Sequence, residues 1–184
     1  CPNAVVIAPR HKRYREVSNA IMSVFREFTP LVEPLSLDEA YLDLSESAAD
    51  YAGPEALGLA LKSAVARCTG GLTVSVGVST SKFVAKVASD FQKPDGLTVV
   101  DAKQVLSFIR PLPASRLWSA GPKTVERLEG LGLHSIGDVA DAPEAALMTL
   151  GRQGLFLRDL AQGKDRRSIV SHRSAKSIGW ERTL

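Results

Sequence analysis

From Tyr14 to Phe28, apolar side chains fall at Tyr14, Val17, Ile21, Val24, Phe25 and Phe28. That three-and-four spacing marks one face of a helix. Pro30 closes it, because the residue before a proline is pushed out of the helical region. Leu31–Ser36 and Ala40–Leu44 read as two short strands, with Asp38 and Glu39 where they meet. Pro54–Cys68, Ala- and Leu-rich behind Gly53, reads as a helix, and Gly70-Gly71 as a turn. Leu72–Val78 alternates and is β-branched, which predicts a strand. A helix over Ser81–Gln92, a turn over Lys93–Gly96 and a strand over Leu97–Val100 follow. The chain opens CPNAVVIAPR, without an initiator Met and already β-prone, as a piece of a longer protein would. Residues 1–100 thus read strand–helix–strand–strand–helix–strand–helix–strand. The expected class is α+β, a split βαβ, ferredoxin-like layout with a mostly antiparallel sheet and helices on one face.

After Asp101 the strand signal fades. Helical segments separated by Gly and Pro are predicted over Ala102–Ile109, Pro122–Leu131, Ile136–Ala140, Pro143–Leu150 and Gln153–Gln162. They describe a second, small all-helical domain. Lys164-Asp165-Arg166-Arg167 is polar and reads as a linker. Ser174–Leu184 reads as the first strand of a third unit.

The 184 residues are 45% hydrophobic and 23% charged, a composition that supports a core and argues against disorder. No apolar run approaches the ~18 residues of a membrane span, and no secretory signal opens the chain, so a soluble protein is expected. A net charge of +3 and a pI near 9.0 permit an anionic partner without requiring one. Cys1 and Cys68 are too few and too far apart for a disulfide scaffold or zinc site, and His11, His134 and His172 have no ligand spacing.

Three stretches carry candidate chemistry. In PLSLDEAYLDLS, strand alternation turns Ala40, Leu42 and Leu44 toward covering helices and Glu39, Tyr41 and Asp43 toward an open face, with Asp38 at the turn. Adjacent carboxylates repel unless a positive charge lies between them. A hard divalent cation such as Mg²⁺ suits them, since it takes oxygen ligands and keeps waters for phosphates. The alternative is a turn-forming Asp38 beside a solvated Glu39.

In SKFVAKVASDFQKPDG, Phe83, Val84, Val87, Ala88 and Phe91 share one helical face, with Lys82, Lys86 and Lys93 opposite, within about 40° of each other. The lysines read either as a solvated face or as a phosphate-facing stripe, with Lys93 as a point charge for a triphosphate. In LWSAGPKTVERLEGLG, Gly121 permits a tight turn and Pro122 fits the first helical position. Backbone N–H groups at a helix start make an anion site, indifferent to base sequence. An ordinary helical hairpin is the alternative. Trp118 reads as packing, with a base-stacking platform as the alternative, and Arg166 and Arg167 as solvated linker charges, with a backbone-phosphate contact as the alternative.

The order SLDEAYLDLS, SVGVSTSKFVAKVASDFQKPDGLTVV, the Gly-Pro-Lys-Thr hairpin and KSIGWERTL resembles the Y-family translesion DNA polymerases of the DNA polymerase IV type, over nearly the whole chain. The resemblance implies a right-hand architecture: a partial palm over 1–100 with the fingers outside the chain, a thumb with a helix-hairpin-helix over 101–163, a linker over 164–174, and the start of a little finger over 175–184. It implies low-fidelity, template-directed DNA synthesis by two-metal nucleotidyl transfer, with two Mg²⁺ ions. Asp38 and Glu39 match the family's second acidic motif, as metal ligands and catalytic groups, with Ser36 orienting them. Lys93 matches the lysine that contacts the incoming dNTP. Gly121, Lys123 and Thr124 match the hairpin that holds primer-strand phosphates.

Primer–template DNA is the expected partner. A sliding clamp, through C-terminal sequence beyond Leu184, is a further candidate. A cytoplasmic monomer is expected. The family hairpin usually reads Gly-x-Gly, and this chain has Ser119-Ala120-Gly121. The first metal-binding Asp is expected before Cys1, so these residues alone are expected to be inactive. The competing readings are a non-catalytic, sequence-independent DNA-binding module and a nucleotidyl cyclase.

Overall fold

The computed structural model describes residues 1–172 and 179. The chain divides into two compact units, Cys1–Ala49 with Ser168–Leu184, and Asp50–Arg167. The expected strand over Ser174–Leu184 lies outside the described residues, apart from Gly179.

In the first unit, α1 (His11–Phe28) buries Ser18, Met22, Val24 and Phe25. The buried seam is offset from the predicted stripe, and Tyr14 is exposed. Strands β1 (Val32–Pro34) and β2 (Ala40–Leu42) pair antiparallel, with Val32 opposite Leu42, Glu33 opposite Tyr41 and Pro34 opposite Ala40. The expected N-terminal strand does not form, and residues 1–10 are exposed throughout, with Val6 at 94%. β-propensity makes a strand only where a neighbour accepts its ladder bonds, and among the described residues none does so here. The predicted face assignment on β2 is also corrected. Tyr41 is buried, together with its cross-strand partner Glu33, while Ala40 and Leu42 are half-buried. The large Tyr ring, not the smaller aliphatic residues, takes the covered side. The Glu33 carboxylate accepts the Val170 N–H at 2.8 Å, which satisfies part of its buried charge.

The second unit opens with α2 (Pro54–Thr69), which Gly70 ends in the left-handed conformation at φ 72°. β3 (Val76–Ser79) and β4 (Leu97–Val100) flank α3 (Lys82–Phe91) and pair parallel. The expectation of a mostly antiparallel sheet is therefore corrected: one described pair is antiparallel, and the longer one is parallel. A strand–helix–strand crossover returns the chain in the same direction. Residues 72–75 stay outside β3, and the Val74 carbonyl accepts from Lys62 Nζ at 2.9 Å.

Helix α3 starts where Ser81 accepts the Val84 N–H, and it buries Phe83, Val84, Val87 and Ala88 as the pattern predicts. Two side chains depart from prediction. Lys82 is buried, so it is not part of a solvated face. Phe91 is 56% exposed and meets Phe108 edge-on at 5.2 Å.

Short helices follow: α4 (Val105–Ile109), α5 (Pro122–Gly130), α6 (Ile136–Asp141), α7 (Glu144–Met148) and α8 (Arg152–Ala161). Their bounds lie within two residues of prediction, apart from the start of α4, where Ala102–Gln104 is a 3₁₀ turn. Capping explains the sharp edges. Ser135 accepts the Asp138 N–H, and Asp138 accepts that of Ser135, a reciprocal capping box. One apolar cluster joins Phe83 and Val84 of α3 to Ile109, Leu128, Ile136, Leu147, Leu157 and Leu160. No helix among the described residues is long and apolar enough to cross a membrane.

Candidate functional site

The β1–β2 turn carries the two acids at consecutive positions. Leu35 and Ser36 N–H both donate to the Glu39 carbonyl, at 2.8 and 3.3 Å, and close the loop. Ser36 Oγ donates to Asp38 Oδ1 at 2.6 Å and accepts the Asp38 N–H at 3.3 Å. Ser36 thus holds Asp38 from both its backbone and its carboxylate. Asp38 is exposed and Glu39 half-buried. Asp43 is engaged elsewhere: the Ser45 hydroxyl and then the Ser45 N–H hold its carboxyl below the usual range, against a smaller effect of burial.

Two adjacent, hard oxygen donors fit a Mg²⁺ ion, which is held by one or two carboxylates and completed by waters and substrate phosphates. Among the described residues, no group of three or more His, Cys, Asp or Glu is placed to hold a metal. Asp38 and Glu39 could supply at most two of the oxygen ligands such an ion takes.

Lys93 lies in the second unit, two residues past α3. Its Nζ is 2.6 Å from Asp90 Oδ1, while Lys86 Nζ is 3.4 Å from Asp90 Oδ2. Burial tends to raise the Asp90 carboxyl, but bonds and charges from Lys93 and Lys86 outweigh it and leave it low. The turn after Lys93 has a cis Lys93–Pro94 bond and Asp95 at φ 55°. Lys62 of α2 anchors it, donating to the Asp95 carbonyl at 2.6 Å and pairing with the Asp95 carboxylate. The sequence offers no signal for that 33-residue link.

In the hairpin, Gly121 sits at φ −70° and a Cβ there would meet nothing within 4 Å, so its freedom is not what shapes the turn. The left-handed residue is Ser119, at φ 73°. The chain thus carries serine where the conformation favours glycine. Ser119→Gly is expected to stabilise the protein by about 1 kcal/mol, read as a higher thermal midpoint. An unchanged or lower midpoint would show that the Ser119 side chain offsets its strain.

Thr124 and Val125 N–H both bond the Gly121 carbonyl, at 2.8 and 3.0 Å, and Pro122 brings no N–H. The helix start therefore offers fewer outward donors than sequence alone suggests. Lys123 is exposed and Thr124 half-buried. Trp118 meets Phe156 edge-on, which fits the packing expectation. Arg167 is not a solvated linker charge. It is bonded to Asp165 and lies over the Trp118 ring, 4.1 Å from its centroid.

Residues 1–90 match the impB/mucB/samB family. The whole chain is 43% identical, over 185 residues, to 52% of the DNA polymerase IV of Shewanella amazonensis. Among solved structures, DinB from Sulfolobus solfataricus shares 29% identity and a TM-score of 0.83, over 91% of this chain and 50% of that one. An insertion ternary complex of Dbh DNA polymerase shares 29% identity and a TM-score of 0.80, over 91% and 49%. The chain spans about half the length of the curated relatives it matches. By its sequence and its fold the chain is similar to the DNA polymerase IV-type Y-family polymerases over about half of their length.

Proposed function

We propose that this chain supplies part of the catalytic palm and the duplex-gripping thumb of a translesion DNA polymerase. The palm would run through residue 100, the thumb over 101–163, the linker over 164–174, and a little finger would begin at 175. The observation that carries this reading is the β1–β2 turn, closed on the Glu39 carbonyl and with Ser36 bonded to the Asp38 carboxylate.

Asp38 and Glu39 would hold Mg²⁺. Bound there, the ions would neutralise charge on the attacking and leaving oxygens of the in-line displacement. Ser36 fixes the Asp38 carboxylate so that it need not reorient. Glu39, on the strand side of the turn, would lie beside the primer 3′-hydroxyl. Lys93 would place a compact positive charge on the dNTP phosphates, exchanging Asp90 for the triphosphate. Gly121, Lys123 and Thr124 would hold primer-strand phosphates at the start of α5, without reading bases.

Primer–template duplex and dNTP are the proposed partners. A clamp contact would come from sequence outside this chain. The chain alone is proposed to be inactive in synthesis, because its described residues bring no third ligand to the acidic pair.

Titration of mixed-sequence DNA duplexes at several salt concentrations tests the grip. Affinity is expected to fall as salt rises, with a log–log slope of roughly −1 for the one lysine of the grip, Lys123, and with little sequence preference. A flat salt response or a strong sequence preference would remove the hairpin from the account.

A further inference from the structure

We propose that Asp165 and Arg167 form a brace that positions the Trp118–Thr124 turn for duplex phosphates; this rests on reading that turn as a phosphate grip. The Asp165 side chain is 1% exposed, unlike a solvated linker acid. A buried carboxylate is costly unless its oxygens are satisfied, and here they are. Oδ2 accepts the Phe83 N–H at 2.9 Å, in the first turn of α3, and Arg167 Nη2 at 2.8 Å. Oδ1 accepts Arg167 Nε at 2.7 Å and the Arg167 N–H at 3.3 Å. Burial alone would raise this carboxyl, but the Arg167 and Phe83 bonds more than offset it and keep it low.

The paired carboxylate fixes the guanidinium as a fork. That fork lies over Trp118 and 5.6 Å from the Phe156 ring centroid. Trp118 directly precedes Ser119, whose carbonyl accepts from Gln153 Nε2 at 2.8 Å. The turn is thus held on one side by the linker and on the other by α8. It needs holding. A non-glycine residue in the left-handed region persists only where its surroundings over-determine it. Asp165 and Arg167 act as positioning residues and are not themselves required to touch DNA.

The test uses the full 184-residue chain in a Trp180→Phe background, so that the emission is that of Trp118, with a fluorescently labelled DNA duplex and Trp emission as readouts. Asp165→Asn removes a negative charge, so electrostatics alone would tighten binding to a polyanion. The brace gives the opposite sign: about fivefold weaker binding, with Trp118 emission shifted to the red and more open to acrylamide quenching. Arg167→Lys keeps the charge and the Asp165–Phe83 bond but loses the fork, and it should move both readouts the same way. It carries the test if Asp165→Asn does not fold, as judged by far-UV circular dichroism.

Affinity at or above wild type in the folded variants overturns the brace, as does an emission shift without loss of affinity. Lys123→Ala, measured beside them, separates the two readings. Unchanged affinity in Lys123→Ala removes the phosphate grip and with it the brace's purpose. Weaker affinity there, with intact affinity in Asp165→Asn and Arg167→Lys, overturns the brace alone.

Discussion

Glu39→Ala, placed in a full-length DNA polymerase IV engineered to carry this 184-residue segment, is expected to abolish primer extension and leave duplex affinity nearly unchanged. The reason lies in where the carboxylate sits. Glu39 ends the β1–β2 turn, and its own carbonyl accepts the two N–H bonds that close the loop. The alanine variant keeps that backbone, so the turn should persist while the proposed metal ligand is lost. Metal stabilisation of transition-state charge amounts to several kcal/mol, so the rate should fall by ~10³ or more. The grip on DNA is assigned to the α5 start, on a different element. A small gain in affinity is the most that removing one negative charge should cause. Extension within tenfold of wild type would end the catalytic assignment. Lost extension with equally lost duplex binding would point instead to misfolding.

Gly77→Ala is expected to give the largest stability loss of any single methyl addition considered. Gly77 lies in β3 where α3 crosses it. A Cβ there would come 2.0 Å from the Ala85 carbonyl oxygen and 2.3 Å from the Ser89 nitrogen. Both are backbone atoms of α3, which no rotamer change can move aside. Relief requires α3 to lift from β3, and α3 carries the fully buried Phe83 and Val84. Overpacking of this kind costs about 3 kcal/mol. For a chain of this size that lowers the thermal midpoint by roughly 10 °C. Gly130→Ala is the control. It adds the same methyl at the end of α5 into open space and should be neutral or slightly stabilising. Equal midpoints for the two variants would show that the α3–β3 approach is looser than the geometry requires.

The sequence was most informative where the physics is local. The edges of α2, α5 and α6 follow from Pro at a first turn, Gly or a capping box at an end, and apolar spacing between. The Phe83–Ala88 face is buried as its period requires. Ser119 could be singled out from the hairpin pattern, and its positive φ bears directly on the strain expected there. What was not legible depends on partners far along the chain. The opening β-prone run finds no ladder. The parallel β3–β4 pair was implicit in a strand–helix–strand order, but its direction was read from the expected sheet as a whole. Tyr41 and Lys82 are buried where alternation and helical phase put them outside. Asp165 reads as part of a polar linker, and nothing in the sequence singles out Lys62. Their roles come from contacts 82 and 33 residues away, with the Phe83 amide and the Asp95 turn. Short-range patterns carry no information about such contacts.

At the candidate site, the motif order identified Asp38, Glu39 and the α5 start as groups, and the structure supplies their local geometry. Ser36 on Asp38, Asp90 on Lys93, and the Gly121 carbonyl on the Thr124 and Val125 amides show how each group is held.

The most direct measurement is templated incorporation of a single dNTP, with Mg²⁺ and a primer–template, by the purified 184-residue chain and by a full-length DNA polymerase IV engineered to carry it. The account predicts incorporation by the full-length polymerase and none by the chain, whose described residues bring no third ligand to the acidic pair. Incorporation by the chain alone, lost on Glu39→Ala, would contradict the claim that these residues hold only part of the active site.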